Sequence, residues 1–574
     1  MIKPSFSYSK LILLLAIYFG LVLNIPLYKE LYYLTRNQAV IHWGFLVSIP
    51  IFVISALNLL FQLFAWPKIT KPFFALLLLL SSIISYASFQ YRTIFDSEML
   101  RNLMQTYSGE VFAYISVSSI VWIIAFGVFP TLVLFMTHIK PVNNQWGFIK
   151  HKLLSMGASA LLIVIIGGFF YQDYVSLGRN HSEVRRLIIP THFIYSANKY
   201  IKQTYFSPPM VYREIGTDAK QTDKALARAK EKPSLVILVV GETARAQNYQ
   251  FNGYHKATNP FTSQQDVIFY PNVSSCGTAT AISVPCMFSA LNRDNYSHDI
   301  ANNQDNVLDV LKRANIDILW KDNDGGDKGV ARHVTYREIK PDVNNLNCNS
   351  SSCFDMALFD NLDKEIDNMQ GNRLVVLHLI GSHGPTYYQR YPKSHEIFSP
   401  VCARADIEKC TREEITNTYD NTIAYTDYVL SQLINQLKAK ESSYNTALLY
   451  LSDHGESLGE HGLYLHGMPY QLAPRYQTEI PMMLWLSQSF CMENNLNPNC
   501  LEEQAKLYHY SHDNLFHSLL GLFSVRSEVY NKRQDIFAQC QNRLPIDYNN
   551  LQQSDSLQNK TQYIKAIKNM IISS

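Results

Sequence analysis

The sequence predicts two unlike parts in one chain: an N-terminal domain of five transmembrane helices, then a soluble α/β domain folded as an α/β/α sandwich. Three observations carry this. The first 172 residues contain five long stretches free of Asp, Glu, Lys and Arg, at 11–27, 43–66, 72–91, 111–139 and 153–172. Beyond residue 233, short continuous apolar runs alternate with helical patterns. All nine cysteines lie at or after Cys276, outside the apolar region. A chain of 574 residues is also too long for one ordinary core. The expected division is a membrane domain over 1–172, a connector over 173–232 and a catalytic domain over 233–574.

A bilayer core is spanned by about 20 apolar helical residues, with a range near 17–25. The stretch at 11–27 is at the short end and has the length of a signal-peptide core. It lacks a small-residue cleavage site, since Asn24-Ile25-Pro26-Leu27 stands where one would be sought. It therefore reads as an uncleaved span. Orientation follows from the positive-inside rule. Lys3, Lys10, Lys68, Lys71, Lys140, Lys150 and Lys152 fall on one side with no acidic residue. The other side mixes Lys29, Arg36, Arg92 and Arg101 with Glu30, Asp96, Glu98 and Glu110. Five spans then place the bulk of the chain outside the cytoplasm.

Cysteine spacing agrees with that location. Eight of the nine form close pairs, Cys276/Cys286, Cys348/Cys353, Cys402/Cys410 and Cys491/Cys500, and no CxxC zinc spacing occurs. Local disulfides in an oxidising compartment are expected, each worth roughly 2–3 kcal/mol. Cys540 is left over, as a buried thiol or with a partner elsewhere. In the connector, basic residues from Arg179 to Lys202 alternate with Leu187, Ile188, Phe193 and Tyr200. This suits a helix on the membrane surface or equally one packed on the soluble domain. Residues 218–232 read as a solvated linker.

Runs at 235–240, 316–320, 374–380, 447–451 and 481–486 read as strands buried on both faces, the pattern of a parallel sheet covered by helices. Polar residues follow several of them at once: Gly241-Glu242-Thr243-Ala244-Arg245, Lys321-Asp322-Asn323, Gly381-Ser382-His383-Gly384 and Ser452-Asp453-His454-Gly455-Glu456. Carboxyl ends of strands line the ligand crevice in open α/β sheets. A single strand-end carboxylate often merely caps a helix; four such endings converging on carboxylate, imidazole and amide groups point to a site. Glu242, Asp453 and His454 are donors suited to Zn²⁺. Between Cys276 and Cys286 lie Thr278, Thr280 and Ser283, in what composition alone would make a surface loop. Net charge is +3 and no basic block suggests nucleic-acid binding.

Gly241-Glu-Thr-Ala-Arg245 with Asn252-Gly-Tyr254, Ser275-Cys-Gly-Thr-Ala-Thr280 running to Ser289, and Asp453-His-Gly-Glu-Ser457 with His466-Gly467 resemble the phosphoethanolamine–lipid A transferases, which include the colistin-resistance enzymes. The resemblance covers essentially the whole chain and implies an alkaline phosphatase/sulfatase-like fold for the soluble domain. It makes Thr280 the nucleophile and a zinc ligand, with Glu242, Asp453 and His454 completing the metal site. It puts His383 and His466 near the donor head group, as general acid or as ligands of a second, labile zinc. Lys328 and Thr278 match phosphate- or head-group-binding positions. Asp324 and Gly325 depart from the Asn and Ser of the colistin-resistance enzymes. Asn102, Thr106 and Glu110 match a lipid-binding outer loop. Glu460 and His461 match nothing, and helix capping or surface solvation is expected of them.

The implied reaction is ping-pong. Thr280 takes phosphoethanolamine from phosphatidylethanolamine, and a lipid A phosphate removes it, lowering surface negative charge and weakening polymyxin binding. The implied setting is the bacterial inner membrane with a periplasmic catalytic domain, acting as a monomer on membrane lipids. The rivals are a sister transferase acting on lipopolysaccharide core sugar or periplasmic glucan, a superfamily hydrolase, and a non-catalytic lipid sensor. Thr280-Ala-Ile-Ser lacks the C/S-x-P-x-R signature of sulfatases, which disfavours the hydrolase.

Overall fold

A computed structural model describes residues 5–36, 42–105, 114–206, 208, 210–349 and 352–541. The N-terminal part is helical: α1 (Tyr8–Tyr18), α2 (Ile25–Thr35), α3 (Trp43–Gln62), α4 (Thr70–Tyr91), α5 (Ser97–Gln105), α6 (Val117–Met136) and α7 (Gln145–Asn180). Four helices, α3, α4, α6 and α7, are long and apolar enough to cross a membrane, and a bent pair beginning at Tyr8 and ending at Thr35 makes a fifth. That first span is broken by 47°. Asn24 stands at the break, its amide donating to the carbonyls of Phe19 (2.8 Å) and Ile189 (2.6 Å) and its Oδ1 accepting from Ile189 N–H (2.9 Å). Pro26, which has no N–H to give, stands in the first turn of the second half, which starts at Ile25. The short apolar stretch thus reflects a real interruption.

The last helix is longer than its apolar stretch. α7 runs 36 residues, about 54 Å at the usual rise, so it continues past 172 to Asn180 with non-helical dihedrals at Phe170. Short α8 (Ser182–Arg186) and α9 (Thr191–Tyr205) follow. Val184, Leu187, Ile189 and Phe193 join the core of the membrane helices. Their apolar face is therefore spent mainly on the membrane domain, with Met468 and Leu472 of the soluble part against the same cluster. Residues 223–231 form a helix capped by Thr222, where a plain linker was expected.

The soluble part is built on a seven-stranded sheet. In chain order the strands are β1 (Ser234–Gly241), β2 (Val267–Tyr270), β3 (Asp317–Asp322), β4 (Thr335–Glu338), β5 (Arg373–His378), β6 (Asn445–Ser452) and β7 (Met482–Leu486). Their spatial order is β2-β7-β6-β1-β5-β3-β4. All neighbours run parallel except β7, which is antiparallel to both β6 and β2. β1 shows why its apolar run is continuous. Val236, Leu238 and Val240 face one core, while Leu235, Ile237 and Val239 face another. The edge strands escaped the sequence reading because β2 is only 4 residues long and β4, Thr-Tyr-Arg-Glu, is largely exposed.

Register places the functional edge. Ser452 pairs with Gly241, and Val240 with His378, which in turn pairs with Asp322. Four adjacent strands therefore end level, and the residues that follow them emerge side by side.

Disulfides join Cys276 to Cys286, Cys348 to Cys353 and Cys402 to Cys410. The expected Cys491–Cys500 pair does not form; Cys500 bonds Cys540 and Cys491 is a buried free thiol. The reason is local geometry. Cys491 and Cys500 lie on separate short helices, and the second is capped by Asn497, whose Oδ1 accepts from Cys500 N–H at 3.2 Å. The segment ending at Gln541 lies alongside this turn: Asn497 N–H donates to Cys540 O at 3.1 Å, and Leu496 bridges Gln541. Burial pushes the Cys491 thiol up to about 11, so it is an inert core side chain. Cys500→Ser is expected to lower stability by roughly 2–5 kcal/mol. Denaturant titration measures the loss, and peptide mapping of the parent protein should recover Cys491 unlinked.

Candidate active site

Thr280 is the first residue of α10 (Thr280–Met287), a helix buried along its length. The helix is tied to the strand-end residues by Ser283, whose Oγ donates to the Asp453 carbonyl at 2.5 Å. His512 sits beneath this turn. Its Nδ1 accepts from Cys276 N–H at 3.0 Å and its Nε2–H donates to Ser452 O at 2.9 Å. Burial holds this imidazole down at about 4, so it stays neutral and serves as a fixed double linker.

At the strand ends, Glu242 follows β1, His383 follows β5, and Asp453 with His454 follow β6. Thr280 Oγ1 donates to Glu242, lying 3.1 Å and 3.3 Å from its two oxygens, and is 3.4 Å from His454 Nε2. His383 Nδ1 is 3.0 Å from Glu242 Oε1. Asp453 Oδ1 accepts the N–H groups of Thr243 (3.1 Å) and His454 (2.7 Å), while its Oδ2 lies 3.2 Å from His454 Nε2. The His454 tautomer is set by its other nitrogen, since Nδ1–H donates to the Gly455 carbonyl at 3.0 Å. Its Nε2 lone pair therefore points at Asp453, Thr280 and Glu242. Lone pairs that converge with no proton between them repel unless a cation lies among them. Burial, with help from His466 and His383, drives His454 down to about 4, leaving the neutral imidazole a metal requires. Burial by itself would raise Asp453, but the charge of His454, then a hydrogen bond with Glu242, the charge of His378 and the Thr243 N–H outweigh it and hold the carboxyl below its ordinary range. The donors present fit a metal ion.

A second ring of groups surrounds this one. His466 Nδ1–H donates to Glu456 Oε2 at 2.9 Å, and Tyr387 O–H donates to Glu456 Oε1 at 2.8 Å. The His466 and His454 rings lie 4.5 Å apart. Asp324 Oδ1 is 3.7 Å from His383 Nδ1, and its Oδ2 is 3.7 Å from His378 Nε2. Burial pushes Asp324 up to about 6. Beneath it, His378 Nδ1 meets Asp322 Oδ2 at 2.9 Å, and Trp320 Nε1–H donates to the same oxygen at 3.0 Å. Two compact ligand groups result, Glu242/His454/His466 and Glu242/Asp324/His383, each with donor atoms within 4.8 Å of one another.

Glu242, Thr280, Asp453, His454, His383, His466 and Asp324 are thus brought together. Thr278 is placed differently: its hydroxyl donates to Met468 O at 2.6 Å and its carbonyl accepts Gly467 N–H at 2.7 Å. It ties the nucleophile's loop to that of His466. Lys328 stands on the turn after β3 with a positive φ of 50°. Asn102 is buried on α5, which packs against α10. Thr106 and Glu110 lie outside the described residues. Glu460, expected to cap or to be solvated, instead forms a buried ion pair with Arg245 at 2.8 Å. His461 supplies its carbonyl to Arg92 Nη1 of the membrane domain at 2.6 Å. The sequence reading missed Glu456 and Tyr387 as supports, although Glu456 stands inside the Asp453-His454-Gly455-Glu456 motif. His378 was absorbed into a strand.

A family model described as phosphoethanolamine transferase EptA/EptB matches residues 53–205, and one described as sulfatase matches residues 234–525. The chain is 38% identical to phosphoethanolamine transferase EptA of Escherichia coli K12, over 94% of its own length and 98% of that protein's. The chain belongs to the phosphoethanolamine transferase family. It is also 36% identical to phosphatidylethanolamine transferase Mcr-1 of Escherichia coli, covering 85% of this chain and 90% of Mcr-1. The solved integral membrane lipooligosaccharide phosphoethanolamine transferase A of Neisseria meningitidis superposes with a TM-score of 0.89 at 35% identity, covering 94% of this chain and all (100%) of that one. Membrane helices followed by a sulfatase-like domain are thus the arrangement of the phosphoethanolamine transferase family, and the fold read from the sequence is the fold observed.

Proposed function

We propose that the protein transfers phosphoethanolamine from phosphatidylethanolamine to a phosphate of lipid A, by way of a covalent intermediate on Thr280. One observation carries this reading: the Thr280 hydroxyl, at a buried helix N-terminus, touches both Glu242 and the lone-pair side of His454. The reading places 1–172 in the bacterial inner membrane, 173–232 as connector and 233–574 in the periplasm. Disulfides confined to the soluble part support that compartment. The similarity to a lipooligosaccharide transferase and to a phosphatidylethanolamine transferase supports the acceptor and donor.

Glu242, Asp453, His454 and Thr280 would hold the metal, and their nitrogen and oxygen donors favour Zn²⁺. When bound, it would lower the pKa of a hydroxyl and offset negative charge on a phosphoryl group. Glu242 takes the proton of the Thr280 hydroxyl, which touches both of its oxygens, while the His454 ring helps to orient that hydroxyl. Thr280 Oγ forms a bond to the phosphorus of phosphatidylethanolamine as the bond to the glycerol oxygen breaks. The α10 N-terminus favours the charge that develops there. His466, its Nδ1–H fixed on Glu456, is placed to give the leaving diacylglycerol alkoxide a proton through Nε2. A lipid A phosphate oxygen then attacks the same phosphorus and frees Thr280. His383 and Asp324, beside Glu242, contact the head group or hold a second, labile ion. The product carries an added amine and a masked phosphate, so the cell surface becomes less anionic and binds polymyxins less.

Expression in a susceptible strain with unmodified lipid A tests the assignment. Mass spectrometry is expected to show lipid A heavier by one phosphoethanolamine group. Modification of core sugar or periplasmic glucan, with lipid A unchanged, would reassign the acceptor to the sister activity.

A further inference from the structure

Apart from the catalytic edge, a polar cleft of about 600 Å³ opens where α5, the α8–α9 connector and the catalytic domain meet. That volume is in the usual range for a ligand site. Arg185, Arg186 and Lys199 line it from the connector, and Arg293 from the catalytic domain. Among the described residues, none of the first three makes an ion pair or side-chain hydrogen bond. Arg293 lies over the Tyr470 ring at 4.2 Å, and its Nε is buried without an acceptor. Two acids, Asp96 and Glu98, face the same space. Asp96 Oδ1 is engaged in accepting the N–H groups of Glu98 (3.0 Å) and Met99 (2.9 Å) at the start of α5. Two acids against four basic groups leave this lining net positive. Basic groups gathered in excess around one cleft attract an anion.

The chemistry of that anion can be read from the lining. Guanidinium forks match the oxygens of phosphate, and three of them with an ammonium suit a dianion. The setting makes it membrane-borne, because the connector follows directly on α7 and exposes Ile194 and Tyr195 next to the cleft. The cleft is also coupled to the nucleophile's loop. Tyr470, in its wall, donates from its hydroxyl to Ser275 O at 2.8 Å, and neighbouring Met468 accepts from Thr278 at 2.6 Å.

We infer that this cleft seats a second phosphate of the acceptor lipid, held by Arg185, Arg186, Lys199 and Arg293, while the phosphate to be modified lies at Thr280. The inference rests on the acceptor assignment made above. It gives the enzyme a ruler: an acceptor with two phosphates is aligned by one and modified at the other.

Steady-state kinetics of the full-length protein in detergent, with bisphosphorylated and monophosphoryl lipid A as alternative acceptors, test it. The double variant Arg186→Gln/Lys199→Gln should raise KM for the bisphosphorylated acceptor roughly 10- to 100-fold, the usual cost of losing charged hydrogen bonds, with kcat little changed. KM for the monophosphoryl acceptor should move far less. Arg186→Lys/Lys199→Arg, which keeps both charges, should recover most of the loss, and thermal midpoints of all variants exclude misfolding as the cause. Equal losses with both acceptors, or a fall in kcat at constant KM, would overturn the inference. So would inorganic phosphate at low millimolar concentration competing as well as the lipid, since the cleft would then be a site for free phosphate. Formation of the Thr280 adduct from phosphatidylethanolamine alone separates the two layers. If the parent protein forms no adduct, the functional reading fails; if it forms one while acceptor KM is unmoved in the variant, only the cleft inference fails.

Discussion

Thr280→Ala is expected to abolish transfer, lowering turnover by roughly 10⁴- to 10⁶-fold, the scale on which loss of an activated nucleophile is felt. The structure makes this a clean experiment. Thr280 is the first residue of α10 but not its cap; Ala279 holds that position, and the Thr280 hydroxyl is spent on Glu242 and His454 instead of on the helix. Alanine is a good helix former and the Cβ stays in place. Stability should therefore change little while activity disappears. Thr280→Ser keeps the attacking oxygen and should retain measurable transfer. Residual activity of Thr280→Ala within tenfold of the parent protein would remove Thr280 from the chemistry.

Glu242→Gln is the second large effect. Glu242 belongs to both ligand groups and contacts Thr280 at 3.1 Å and His383 at 3.0 Å. The amide preserves size but removes the charge and one acceptor. Metal affinity should fall by more than the roughly 10- to 100-fold typical of groups that merely support a ligand, and transfer by roughly 10³-fold or more. Metal content by elemental analysis and transfer assayed on the same preparation measure the two effects separately. Full occupancy with near-parental transfer would show that Glu242 is not a ligand.

Features with a strong local signature were legible in the sequence. The β1, β5 and β6 runs are apolar on both faces, and residues following such strands share one edge whatever the loops do. That is why the sequence alone groups Glu242, His383, Asp453 and His454. What failed was decided by partners far away in the chain. Cys500 sits nearer in sequence to Cys491, yet the turn capped by Asn497 delivers it to Cys540. Glu460 looked like a surface acid until Arg245 came to it from β1's end, 215 residues away. The break at Asn24 depends on Ile189, 165 residues on. Thr278 stays a candidate for the head group, and its hydroxyl also ties its loop to the Met468 carbonyl, 190 residues on.

The central claim is the covalent carrier, and its most direct measurement uses the donor alone. Purified full-length protein is mixed with phosphatidylethanolamine and no lipid A, then digested and examined by peptide mass spectrometry, with diacylglycerol followed in parallel. Two bulky lipids are poorly served by one crevice, and a carrier lets them use it in turn. The peptide spanning 276–286 should gain one phosphoethanolamine group on Thr280 with matching release of diacylglycerol, and prior chelation should prevent both. Diacylglycerol release that strictly requires lipid A, with Thr280 unmodified throughout, would contradict the account and indicate direct transfer between the two lipids.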